Sequence, residues 1–170
     1  MRLFKSGSLF VAMLSTFVVS TQSFAIEVGQ NAPRVDLVQV QADGGEISDG
    51  ITSRNSGQNF TILEFFSVTC GPCTRNLPYM AQLSKETGSN TVTRLIGIDR
   101  DEDAIRTYVK QHRDTIQFPV ALDTKRVAKN AYDILYTPTT FVIDANDKVI
   151  YKKIGTFNSS DVENIKALVK

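Results

Sequence analysis

Apolar and polar positions follow two rhythms along this chain, and turn-forming residues mark each change. Ile26 to Pro33 reads as an extended lead-in, because Gly29 and Pro33 both oppose helix. Val35, Leu37 and Val40 suggest a first strand. Asp43-Gly44-Gly45-Glu46 is a turn signal that returns the chain through Ile47 as a hairpin. Gly50 to Gln58 reads as a polar loop. Phe60 to Phe66 is apolar and β-branched apart from Thr61 and Glu64, the pattern of a strand buried on both faces. Glu64 is the anomaly in that strand.

After Cys70 the period changes. Leu77, Met80, Ala81, Leu83 and Ser84 follow the helical i, i+3, i+4 spacing over roughly four turns. Pro72 fits the first turn, Pro78 should kink the helix, and Gly88 should stop it. Thr91 to Ile98 is a second buried strand, ending at Asp99. Asp101 to His112 is an amphipathic helix carrying Ile105, Tyr108 and Val109, with acidic residues in its first turn. Phe118 to Leu122 is a short strand or an extended link broken by Pro119, and Arg126 to Tyr132 is a short helix. Thr139 to Ile143 and Lys148 to Ile154 form a hairpin around Asp144-Ala145-Asn146-Asp147. Ser160-Asp161-Val162-Glu163 reads as a capping box opening a last helix through Ile165, Leu168 and Val169. The fold class is therefore α/β, a central mixed sheet with helices on both faces, parallel first and closed by an antiparallel hairpin.

The first 25 residues stand apart. Arg2 and Lys5 precede a mostly apolar run from Leu9 to Val19, and Ser23-Phe24-Ala25 places small residues where a signal peptidase reads them. A signal peptide cleaved after Ala25 is expected, leaving residues 26–170 as one domain, with a retained membrane anchor as the alternative. The apolar run is short for a span, which needs about 20 residues. No cysteine lies near the cut to carry a lipid. The whole chain has 170 residues, 42% apolar and 22% charged, which is ordinary for a globular protein. Taking the two basic residues of the leader from 19 Lys and Arg leaves 17 against 18 Asp and Glu. A chain so close to neutral has no field to gather phosphate backbones, so nucleic acid is not an expected partner. Export implies a periplasmic or otherwise extracytoplasmic location, where disulfides persist.

Cys70 and Cys73 are the only cysteines. A structural disulfide over two intervening residues would remove little entropy from the unfolded chain. Zinc would need two more soft ligands, and only His112 is left, within the charged run Lys110-Gln111-His112-Arg113. Haem attachment needs histidine at position 74, which is threonine. No cofactor and no metal are expected.

Four pieces, in order, resemble the thioredoxin superfamily, and more narrowly its exported TlpA/ResA-type thiol–disulfide oxidoreductases, which share an N-terminal extension with the peroxiredoxins. These are Gly29-Gln30-Asn31-Ala32-Pro33, the strand-to-CxxC stretch Phe65 to Cys73, Tyr136-Thr137-Pro138-Thr139-Thr140-Phe141, and the terminal hairpin Asp144 to Gly155. Together they cover nearly all of residues 27–170. The resemblance implies a thioredoxin-like three-layer fold and a redox-active Cys70–Cys73 pair. Cys70, at a helix N-terminus, is the expected nucleophile. Cys73, one turn in and less exposed, is the expected resolving thiol. Gly71 lets a partner backbone approach and Pro72 stiffens the turn. Pro138 is expected to be cis, bringing Thr137 to the sulfurs so that a substrate strand can pair with it. Glu64 occupies the position of thioredoxin's buried aspartate and would relay a proton to or from Cys73. The Gly-Pro pair, shared with thioredoxin, points to a reductant.

The resemblance also implies disulfide-containing envelope proteins as substrates, a membrane thiol carrier as electron donor, and a monomer. One departure stands out: Thr69 replaces the family's tryptophan before the first cysteine, and the chain has no tryptophan. The rival readings are a peroxiredoxin-like peroxidase, with Ser67 partly imitating the threonine those enzymes use, and a non-catalytic binding module. Arg75 could favour thiolates or simply be exposed. Tyr79 and Met80 read as core packing, and Asp99 to Asp103 as a solvated loop and helix start.

Overall fold

The structure, a computed structural model, describes residues 25–41, 43–50 and 59–170. The expected signal segment up to Phe24 and positions 51–58 of the expected polar loop lie outside the described residues. In chain order the elements are β1 (Asp36–Val40), β2 (Glu46–Gly50), β3 (Phe60–Phe66), α1 (Gly71–Glu86), β4 (Thr91–Gly97), α2 (Glu102–Gln111), β5 (Val120–Leu122), α3 (Val127–Ala131), β6 (Thr139–Asp144), β7 (Val149–Ile154) and α4 (Ser159–Leu168). They build one mixed sheet in the order β2-β1-β5-β4-β3-β6-β7. The expected α/β thioredoxin-like architecture is what forms.

Strand β3 sits innermost because its residues can be buried on both faces. It pairs in parallel with β4 (Glu64 opposite Leu95) and antiparallel with β6 (Glu64 opposite Thr140). One face carries Ile62 and Phe66 under α1, α2 and α4; the other carries Leu63 and Phe65 under α3 and the N-terminal segment. Each such buried side chain contributes about 1.5–3 kcal/mol of transfer free energy. Helix α1 runs unbroken through Pro78, which cannot supply one backbone hydrogen bond.

The stretch expected as a short strand or a link proves to be a strand with a structural task. β5 pairs in parallel with β4 and antiparallel with β1, and so joins the N-terminal hairpin to the sheet. The lead-in 29–32 lies along β7. Gly29 N–H donates to the Val149 carbonyl at 2.8 Å, Val149 N–H returns a bond to Gln30, and Ala32 N–H donates to Asp147. That covers part of an otherwise open sheet edge.

The final helix is capped two residues earlier than the sequence suggested. Asn158, not Ser160, is the N-cap. Its side chain accepts from Asp161 N–H at 3.1 Å, and Asp161 accepts in return from Asn158 N–H at 2.9 Å. Asparagine is as good a cap as serine, and Asp161 at the third position closes the box two residues before Glu163 can.

Gly97 ends β4 where α2 crosses it. A Cβ there would stand 2.9 Å from Ile105 Cγ2, closer than real Cβ contacts come. Gly97→Ala is expected to destabilise the protein by about 1–3 kcal/mol, the usual cost of overpacking. Ile105→Val in the same chain should recover part of it, as read by denaturant unfolding; additive losses would show that the two residues do not compete for space.

Candidate active site

The β3–α1 junction is held from both sides. Cys70 N–H donates to the Ser67 carbonyl at 3.0 Å, closing a turn. Asp99, at the end of the neighbouring strand, accepts from Ser67 Oγ at 2.8 Å and from Val68 N–H at 2.9 Å. The sequence presented Asp99 as part of a solvated loop; it braces the turn that carries the cysteines. Cys70 is the N-cap of α1, and its Sγ accepts from Cys73 N–H at 3.1 Å. The two cysteines form a disulfide, with their Cα atoms 5.2 Å apart. Cys70 is partly exposed, while Cys73 is 1% exposed.

The Thr137–Pro138 peptide bond is cis. The Thr137 carbonyl oxygen lies 3.4 Å from Cys70 Sγ. In the disulfide that sulfur has no proton, so this is a contact; a reduced Cys70 thiol would donate across it. Gly155, at φ +96° where side chains are strained, donates its N–H to the Pro138 carbonyl at 2.8 Å and so ties the β7 end to the proline loop. Gly71 and Pro72 are exposed, and the Arg75 guanidinium reaches back over Gly71, 3.7 Å from where a Cβ would be. Leu135 and Tyr136, just before Thr137, are 71% and 67% exposed.

Glu64, six residues before Cys70 on β3, is wholly buried. Its Oε2 accepts from Asn76 Nδ2 and, at 3.2 Å, from Thr140 Oγ1. Its Oε1 is buried and has no partner among the described residues. Burial raises the carboxyl from its ordinary 4.5 to about 8, against the opposing pull of Asn76 and Thr140.

Of the remaining candidates, Met80 is fully buried and Tyr79 packs edge-on against Phe157. His112 stacks on Tyr108, ring centroids 4.2 Å apart, with Nδ1 2.9 Å from the Tyr108 carbonyl oxygen.

Residues 27–169 match the Redoxin family model. This chain belongs to the Redoxin family. It is 31% identical over 147 residues to the thiol-disulfide oxidoreductase ResA of Bacillus subtilis, covering 86% of this chain and 78% of that protein. It is 29% identical to ResA of Geobacillus kaustophilus, covering 84% and 78%. Among solved structures, the thiol:disulfide interchange protein DsbE of Chlorobium tepidum superposes with a TM-score of 0.67 at 25% identity, over 85% of this chain and 96% of that one. AhpC of Mycobacterium tuberculosis superposes with a TM-score of 0.68 at 19% identity, over 85% and 93%, a likeness of fold alone. This Redoxin-family chain is a thiol–disulfide oxidoreductase of the ResA type, and Cys70 and Cys73 are its CxxC-spaced pair.

The structure thus gathers Cys70, Cys73, Gly71, Pro72, Thr137, Pro138 and Glu64 at one end of the sheet. Sequence reasoning named Tyr136 and Thr140 only as members of the Thr-Pro motif, and it missed Asn76, the bracing role of Asp99, the bond from Thr140 to Glu64, and the exposed pair Leu135-Tyr136. Only the pair had a local signal, two large apolar residues directly before the Thr-Pro motif.

Glu64 ties stability to pH. Its folded-state value lies above the ordinary one, so the folded protein holds this proton more tightly than the unfolded chain. That contribution is complete below about pH 4.5 and is lost as pH rises toward 8. The oxidised wild type is expected to lose thermal midpoint relative to Glu64→Gln across that interval, most near its upper end. A constant difference between the two would contradict a carboxyl that is neutral in the folded state.

Proposed function

We propose that this protein is exported and reduces disulfides in other proteins of the cell envelope, acting as a monomer. One observation carries the reading: the two sulfurs occupy unequal environments. Cys70 is reachable from solvent, caps a helix and faces the Thr137 carbonyl, whereas Cys73 is sealed behind it.

In the reduced enzyme the helix N-terminus and the Cys73 amide stabilise a Cys70 thiolate. A substrate strand lies over Gly71 and Pro72 and pairs with the backbone at Thr137, with Pro138 shaping the groove. The exposed Leu135 and Tyr136 offer apolar contact beside it, a surface suited to replace the tryptophan absent at Thr69. The Cys70 thiolate attacks one substrate sulfur, and the other leaves as a thiolate that takes a proton from water. The Cys73 proton then moves to the Glu64 carboxylate. Cys73 attacks Cys70, the bond from Cys70 to substrate breaks, and the reduced substrate departs on its own sulfur. The product is the disulfide with Glu64 protonated, the condition burial favours. Re-reduction needs two electrons from outside, for which a membrane thiol carrier is the natural source.

A peroxidase reading would need the hydroxyl three residues before Cys70 aimed at the sulfur. Ser67 Oγ instead donates to Asp99. Arg75 reaches Gly71, a position that can favour the thiolate electrostatically.

A Cys73→Ser variant should retain substrate proteins as mixed disulfides on Cys70, recoverable from envelope extracts and released by dithiothreitol. A Cys70→Ser variant should retain none. Partners trapped through Cys73 instead would reverse the assigned roles. Rapid consumption of hydrogen peroxide by the wild type with a thiol donor would replace the reductase reading with a peroxidase.

A further inference from the structure

The bonds around Glu64 say more than its burial does. They begin at an atom with only one possible role. The backbone N–H of Phe157 is a donor, and it reaches Asn76 Oδ1 at 2.7 Å. That settles which end of the Asn76 amide is which, so the NH2 group faces Glu64 Oε2. Thr140 Oγ1 donates to the same oxygen. Oε2 is therefore an acceptor from two donors, while Oε1 is buried with none among the described residues. A neutral carboxyl carries one O–H, and an oxygen already facing two donors is the wrong place for it. The proton belongs on Oε1.

Asn76 and Cys73 are both buried and three residues apart on α1, so their Cβ atoms lie about 5–6 Å apart on one face. The residue that holds the carboxyl is thus one turn from the thiol whose proton must move. We infer that Asn76 is a positioning residue, which by donating to Oε2 reserves Oε1 as the oxygen that accepts the Cys73 proton and returns it. This rests on the proton role proposed above for Glu64. When Cys73 attacks Cys70, its S–H proton passes to Oε1, the Cys73–Cys70 bond forms, and the electron pair of the broken bond leaves on the substrate sulfur. Reduction of the disulfide reverses the transfer.

Among the described residues, the groups that set the Glu64 carboxyl besides its burial are the neutral Asn76 and Thr140. On β3's neighbours the facing residues are Leu95 and Thr140. From α2 the titratable group that feels Glu64 is Tyr108, whose hydroxyl burial holds protonated above its ordinary range.

Asn76→Asp is the decisive variant, because it keeps an acceptor for Phe157 N–H but replaces the donor to Oε2 with an oxygen. Losing a hydrogen bond to the charged form, and gaining a like charge, both disfavour the carboxylate. The readout is the release of thionitrobenzoate from its mixed disulfide with Cys70, followed against pH, with carboxyl 13C NMR titration of Glu64 in the oxidised protein. The midpoint of the resolving step should move up by about one to two pH units, making release at pH 7 about ten-fold slower or more. Thr140→Val removes the second donor without adding charge, and should shift the midpoint the same way by less. In Glu64→Gln the midpoint should vanish, and adding Asn76→Asp to it should change nothing further. Should Asn76→Asp and Thr140→Val lower thermal stability yet keep the wild-type midpoint, Asn76 is only a structural tie and the inference fails. A wild-type profile in Glu64→Gln would instead remove the proton role itself.

Discussion

Strand β3 is hydrogen-bonded along both edges and covered on both faces, and that confinement governs the rest of the molecule. A strand so placed cannot slip, because a shift of one residue would drive its buried set to the opposite face. Its C-terminal end is therefore a fixed point, and the cysteines begin four residues beyond it. The same confinement makes Glu64 unusual. A carboxyl there is shut off from solvent, so burial favours its neutral form, and among the described residues its donors are the neutral Asn76 and Thr140.

From this fixed point the two sulfurs acquire different characters without any difference in chemistry. Cys70 is the last residue before the helix, and so it is partly exposed and receives an amide of the first turn. Cys73 is the third residue of the helix and faces inward. Bonds from distant parts of the chain then keep the arrangement in place: Asp99 under the turn, Gly155 on the proline loop, and Phe157 on Asn76. None of these is strong alone, since a typical hydrogen bond contributes about 0.5–1.5 kcal/mol. Their effect lies in restricting where the reacting groups can go.

Much of the fold could be read from the order of residues, because periodicity is local. Phe60 to Phe66 announced a two-sided strand, and the spacing of Leu77, Met80 and Leu83 announced a helix on one face of it. The cysteine pair and the Thr-Pro motif located the chemistry through their likeness to a family. What stayed hidden was non-local. Asn76 and Glu64 are 12 residues apart, Asp99 and Ser67 are 32 apart, and Thr140 and Glu64 are 76 apart. The two longer pairs lie outside any window in which periodicity is read, and Glu64 and Asn76 belong to elements of different period. β5 was ambiguous because three residues are too few to show a period, and its status as a strand depends on partners on both sides. The cap of α4 was misplaced because two overlapping stretches both satisfy the capping pattern, and the path of the chain out of β7 chooses between them.

The seal over Glu64 has a consequence for how the protein handles charge. Of the two sulfurs only that of Cys70 belongs to a partly exposed residue, and the buried acid has no surface of its own. Asn76, which donates to it, stands one helical turn from Cys73. Under the proton role proposed for Glu64, opening or closing the sulfur–sulfur bond also moves one buried hydrogen ion, so the couple carries a proton along with its electrons.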